Sequence, residues 1–329
     1  MDTLVIIEHL SVSFPTHAGE VQAVRDISFE IPRGTCVAIV GESGCGKTVT
    51  AKTLMGLSDY FSSTVKEGSK ILFDGENILD YSPRQWREYR GGKTAMVFQD
   101  AMVSLNPTVR IGAQIAEAVR LHKKVSAAES KREAVRLLEK VGIHDAAVNA
   151  KRYPHEFSGG MRQRAMIAMA IACDPDLLIA DEPTTALDVT MQAQILDLIK
   201  QLQAEKKMSV LFITHDLGIV SGMAQAIVVM YNGTIVETGN PHDIFYRNRH
   251  PYTEALLNSA LRIDCGKDQT LYSIEGIPPS LIDPPAGCPF AERCPYAMNI
   301  CVEAMPEMRE FESGHFASCW KYYAEEESR

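Results

Sequence analysis

Residues 41–48 read "GESGCGKT" and fit the pattern G-x-x-x-x-G-K-[ST]. Glycines 41, 44 and 46 let the backbone curl until successive N–H groups, those of Glu42, Ser43 and Cys45 included, face one anion. Lys47 adds a cation for β- and γ-phosphates, and Thr48 a hydroxyl for Mg²⁺. A second set lies in "DLLIADEP", residues 176–183. Asp181 at the end of an apolar run is placed to hold Mg²⁺ through water, and Glu182 to polarise an attacking water as general base. His215 could bond a γ-phosphate, and the amide oxygen of Gln99 could reach Mg²⁺ or the water. On their own, these two residues read more readily as structural. The chemistry this set describes is hydrolysis of a nucleoside triphosphate.

A second turn with phosphate-binding features stands far downstream, in "FSGGMRQR", residues 157–164. Ser158 is a good helix N-cap, and glycines 159 and 160 allow close backbone approach to an anion. One side of a triphosphate is already served by residues 41–48. A second donor set acts best by closing the open side from another subunit. A plain helix cap without a ligand is the alternative.

The last chemical group is Cys288, Cys294, Cys301 and Cys319, with Pro289 and Pro295 after the first two. Four thiolates can close a tetrahedral zinc site or hold an iron–sulfur cluster. Structural zinc usually takes close C-x₂₋₄-C pairs, and the wider spacing here suits a larger group. Unliganded buried thiols are the third reading, and His315 is an alternative ligand. The remaining cysteines, 36, 45, 173 and 265, are scattered.

These residues need positioning elements, and the chain supplies them. "TCVAIV" (35–40), "TAMVF" (94–98), "DLLIA" (176–180) and "SVLFIT" (209–214) are continuous apolar runs of strand length, as in a sheet covered on both faces. A helix starting near Val49 follows the phosphate loop. In "AAESKREAVRLLEKVG", Val135, Leu138 and Val141 share one helical face. Residues 100–164 hold no comparable strand and are expected to form a helical subdomain. An Asn-Gly turn in "YNGTIVETG" joins strands at 226–230 and 234–237. Pro251 precedes a short helix, and 165–173 reads as a buried helix too short to span a bilayer. The expected fold is α/β: a P-loop ATPase core at 1–240 with a mixed sheet, and a Cys-rich C-terminal extension at 241–329.

With 46% hydrophobic residues a sizeable core is available, while a net charge of -9 argues against a general nucleic-acid binder. No secretory signal and no membrane span is read from the sequence, so a cytosolic protein, attached to membrane only through partners, is expected.

In order along the chain, "GESGCGKT", Gln99, "FSGGMRQR", "DLLIADEP", "ALD" (186–188) and "ITHD" (213–216) resemble the ATP-binding subunit of ABC transporters over roughly residues 4–240. The resemblance implies two ATPase domains packed head to tail. Each ATP then lies between the phosphate loop of one and the Ser-Gly-Gly signature of the other. It makes Phe14 the aromatic that stacks on adenine, with a strand residue in the core as the alternative. It brings Asp188 to the opposite site. Met161 departs from the common glutamine at the end of the signature, a position peripheral to phosphate binding.

"MVFQDAMVSLNP", "YPHEFSGGMRQRAMIAMAIACDPDLLIADEPTTALDVTMQAQI" and "RHPYTEALL" followed by the cysteine tail resemble the D-type ATPase of dipeptide and oligopeptide importers, a group with nickel and glutathione systems. That likeness implies a [4Fe-4S] cluster on Cys288, Cys294, Cys301 and Cys319. It also implies a second ATPase subunit, two membrane-spanning permease subunits and an external substrate-binding protein as partners. Residues 100–111 would receive the permease's coupling helix at the cytoplasmic face of the membrane. A non-transport ABC ATPase would carry a coiled-coil insertion, two fused ATPase halves or a basic surface, and none is visible.

Overall fold

A computed structural model describes residues 2–57, 63–185, 187–259 and 274–326. The chain divides into two compact units. One comprises Asp2, Pro32–Thr35 and Asp80–Phe212, and the other Thr3–Ile31, Cys36–Leu79 and the chain from Ile213 onward. Ala186 and Cys265 lie outside the described residues.

In the first unit, strands Thr94–Val97 and Leu177–Asp181 pair in parallel, with Thr94 opposite Leu177 and Val97 opposite Ala180. Every residue of both strands is buried, as expected for apolar runs covered on both faces. Asp181 is thus the last residue of its strand. Between Val97 and Leu177 the chain forms helices and no strand. Two of these, Ile111–Lys123 and Ala127–Lys140, pack on each other. The second starts on a capping box in which Ser126 and Glu129 satisfy each other's main-chain N–H. Its buried stripe is Ser130, Ala134, Leu137 and Leu138. Leu138 and Val141 are buried as expected, while Val135 is only half-buried, because the stripe passes through Ala134, one position earlier. Helix Gly159–Ala170 buries Ala165, Met166, Ile167 and Ala168.

The second unit contains two sheets. The first is antiparallel, built on the long strands Thr3–Thr16 and Gly19–Pro32 and extended by Lys70–Phe73 and Glu76–Asn77. The two long strands bury residues such as Leu4, Val5, Ile27 and Ile31 while exposing others, and this mixed pattern kept them from standing out in the sequence. In the other sheet, Cys36–Val40 runs parallel to Ala226–Tyr231, which pairs antiparallel with Thr234–Gly239. The turn between the last two has Asn232 at φ 45° and Gly233 at φ 84°, the left-handed pair that an Asn-Gly hairpin needs. Two tail strands, His315–Ala317 and Arg309–Glu312, continue this sheet beyond Thr234–Gly239. The tail is therefore stitched into the sheet that carries the phosphate loop. Among the described residues no helix is long and apolar enough to cross a membrane.

Candidate functional site

The phosphate loop leaves the buried strand Cys36–Val40 and ends in helix Lys47–Leu54. Two of its glycines are obligatory. At Gly41 (φ 154°) a Cβ would run into the Met230 carbonyl oxygen, and at Gly46 (φ 106°) it would lie 2.5 Å from that of Ala23. The loop is thus pressed against strand Ala226–Tyr231 on one side and strand Gly19–Pro32 on the other. Lys47 is 5% exposed, and its Nζ donates to the carbonyl oxygens of Gly41 (2.7 Å) and Glu42 (2.8 Å). Burial pushes the Cys45 thiol up, so it is an uncharged filler in the loop. Thr48 is half-buried in the first helical turn. The Glu42 N–H donates to the Tyr252 hydroxyl at 2.8 Å. Phe14, half-buried on Thr3–Thr16, and His215, exposed just after Ser209–Thr214, belong to the same unit as the loop.

The first unit carries the acids. Asp181 is 2% exposed at its strand end. Glu182 follows at φ 46°, a conformation that costs a side-chain-bearing residue energy and clusters at functional positions. Its Oε2 accepts from Gln99 Nε2 and from Thr185 Oγ1, each at 2.9 Å. The structure thus joins two residues that the sequence placed 83 positions apart. The Gln99 amide nitrogen is spent on Glu182, which leaves its oxygen as the acceptor end.

The signature turn is also in the first unit. Ser158 caps helix Gly159–Ala170 by accepting from the Met161 N–H at 3.3 Å. Ser158 and Gly159 are exposed, Met161 is half-buried, and Gly160 is buried against Met191. The positive end of a twelve-residue helix therefore opens to solvent. Asp188, exposed, caps helix Val189–Lys206 through the Met191 N–H at 2.9 Å.

Comparison with known proteins decides the family. The "ABC transporter" family matches residues 24–185, and the "Oligopeptide/dipeptide transporter, C-terminal region" family matches 236–301. The chain is 48% identical to the dipeptide transport ATP-binding protein DppD of Bacillus subtilis, covering 97% of this chain and 95% of that one. It is 47% identical to the oligopeptide transport ATP-binding protein OppD of Escherichia coli, covering 97% and 94%. Its fold is shared with the ATP-binding cassette MJ0796 in a dimeric post-hydrolysis state bound to ADP and Pi (TM-score 0.65, 23% identity, 72% of this chain and 98% of that one). The chain belongs to the ABC transporter ATP-binding family. This cassette hydrolyses ATP in a reaction coupled to transport, with ATP and Mg²⁺ as its expected ligands.

Downstream of the cassette motifs, Cys288, Cys294, Cys301 and Cys319 all line one pocket, beside His250, Phe290 and Trp320. Among the described residues no group of three or more His, Cys, Asp or Glu is arranged to hold a metal ion. Burial pushes the Cys288 thiol up to about 11 and that of Cys319 to about 12. His315 is committed elsewhere. It is fully buried and its Nε2 lies 2.8 Å from Glu237 Oε1, while Glu237 also accepts the N–H groups of Arg249 (2.6 Å) and His250 (3.1 Å).

Sequence reasoning missed the residues around the phosphate loop that come from the end of the chain. Tyr231 and Tyr252 lie in stretches read only as a turn and as a likeness, and Arg293 in none. Only the fold brings them to Glu42.

Proposed function

We propose that this cassette powers an importer of dipeptides or oligopeptides across the cell membrane. The observation that carries this reading is the extent of the likeness: peptide-transport ATP-binding proteins match nearly end to end, and the family described as the C-terminal region of oligopeptide/dipeptide transporters matches residues 236–301. Nickel or glutathione carried by the same machinery is the second reading. The experiment is uptake of labelled dipeptides, longer peptides and nickel in cells with and without this chain. Loss of peptide uptake alone is expected, and loss of nickel uptake alone would overturn the peptide assignment.

In the proposed site, residues 41–48 hold the triphosphate, with Lys47 on the β- and γ-phosphates and Phe14 against adenine. Thr48, Asp181 and the Gln99 oxygen would hold Mg²⁺, which would shield the phosphate charge. Glu182 takes the proton of the attacking water, oriented by its bonds to Gln99 and Thr185. His215 would bond the γ-phosphate. Ser158, Gly159, Gly160 and Met161 serve the ATP held by a second ATPase subunit, and Asp188 contacts that opposite site. The exposed helix end at Ser158 supports this arrangement. Closure gains from ATP at both sites and is lost once the γ-phosphate no longer bridges the halves.

The cassette would dock on two permease subunits at the cytoplasmic face of the membrane, served by an external binding protein. Residues 100–111 are the proposed docking segment, and Val103, 83% exposed there, supports it. Residues 241–329 form the proposed extension. Its four cysteines, gathered at one pocket, would hold a [4Fe-4S] cluster, with zinc as the other occupant. That group would staple the Pro-rich tail to the body. Anaerobic purification followed by iron, zinc and acid-labile sulfide measurement decides it: zinc without sulfide excludes the cluster.

A further inference from the structure

The variable positions of a phosphate loop need no particular side chain, so an acid at position 42 requires an explanation. A bare carboxylate beside a triphosphate repels it. Here the Glu42 carboxylate is met by a fork from the tail: Arg293 Nη1 donates to Oε2 at 2.8 Å and Nη2 to Oε1 at 3.0 Å. Nη1 also donates to the Tyr231 hydroxyl (3.0 Å), Nη2 to the Ile274 carbonyl (3.2 Å) and Nε to that of Glu275 (2.9 Å). All five N–H donors of this guanidinium are therefore used. Its side chain is only 4% exposed and lies near the rings of Tyr231 and Phe290. Such a saturated, buried arginine cannot swing away without stranding several partners.

The consequence reaches the lysine. Glu42 is held at its carboxylate by Arg293 and at its N–H by Tyr252, and its carbonyl oxygen accepts from Lys47 Nζ at 2.8 Å. One residue thus connects the tail to the cation that meets the phosphates. Arg293 directly precedes Cys294, so the cysteine pocket and the nucleotide loop share one short peptide. A further groove alongside is lined by Glu42, Ser43 and Gly44 of the loop and by Pro278, Leu281 and Ile282 of the tail. The Leu281 carbonyl accepts from the Gln22 N–H at 2.8 Å, which pins that stretch to strand Gly19–Pro32.

We propose that Arg293 is a positioning residue for ATP: it neutralises Glu42 and fixes it as the anchor of Lys47, so that the tail braces the phosphate loop. A brace of this kind acts on the phosphates and leaves the base alone. The test therefore compares trinitrophenyl-ATP with trinitrophenyl-AMP on the purified full-length chain, following fluorescence and melting temperature together. Arg293→Met is expected to weaken the ATP analogue roughly tenfold, the size of a lost charge-assisted bond, with the AMP analogue unchanged. Arg293→Lys, which keeps the charge and loses the fork, should fall between wild type and Arg293→Met. Adding Glu42→Gln to Arg293→Met should recover part of the loss by removing the unpaired carboxylate. If Arg293→Met does not fold, Arg293→Lys alone decides the matter. Wild-type ATP affinity in the folded variants, or equal weakening of both analogues, would overturn the proposal.

Discussion

Lys47 and Glu42 in the phosphate loop are held by partners from their own unit: Gly41, Tyr252 and Arg293. Ser158 and Gly159, in the other phosphate-binding turn, are exposed, and Ser158 has a single cap bond to Met161. Both turns pair glycines with a helix N-terminus, yet one is assembled inside the chain and the other faces out. The difference fits the roles proposed for the two turns. A loop that keeps its ligand through the cycle gains from rigid support, since preorganised donors need no rearrangement when phosphate arrives. A turn that engages and releases another subunit's nucleotide must stay open, and its gain comes only on closure.

The largest effect expected on this contrast is at the chemical step. Glu182→Gln should lower ATP turnover of the assembled transporter by about 10²–10⁴-fold while the isolated chain binds ATP as before. Undiminished turnover would remove Glu182 as general base. Next come paired glycine changes, one in each turn. Gly41→Ala puts a methyl against the Met230 carbonyl at φ 154°, and should cost more than about 2 kcal/mol of stability together with ATP binding. Gly159→Ala meets only Leu187 at 3.8 Å, so thermal unfolding should show no loss. Its effect should surface as lower turnover in the assembled complex. If Gly159→Ala leaves turnover intact, or Gly41→Ala is tolerated, the contrast between a packed loop and an open turn fails. The smallest effect is at Ser126, whose capping box serves only its helix. Ser126→Ala should cost about 1 kcal/mol by denaturant titration with no change in turnover.

Much of this site was readable before folding because its chemistry is local. The loop at 41–48, the cap at Ser158 and the acids at 181 and 182 each sit where a strand ends or a helix starts, and such junctions are marked by short-range glycine and apolar patterns. The buried strands Cys36–Val40 and Leu177–Asp181 were visible for the same reason. The hairpin Thr3–Thr16 with Gly19–Pro32 was missed, because strands with a solvent face mix polar residues into the run. The tail was legible only as spaced cysteines. Its strand pairing to Thr234–Gly239, the Glu237–His315 contact and the Arg293–Glu42 fork join residues 78 and 251 positions apart, and no local pattern encodes such distances. The bond from Gln99 to Glu182 is of the same kind: two sites noted separately become one only in the fold.

The account depends most on the outward-facing turn completing a site that belongs to a second subunit, and Ser158→Glu tests this directly. A carboxylate there removes the serine hydroxyl and sets a negative charge where phosphate is to be received. MgATP affinity of the isolated chain and ATP turnover of the assembled transporter should be measured on the same variant. Unchanged affinity with turnover reduced roughly a hundredfold is the predicted pair of results. A comparable fall in the isolated chain's own affinity would mean that a single subunit closes around its nucleotide, and would contradict the account.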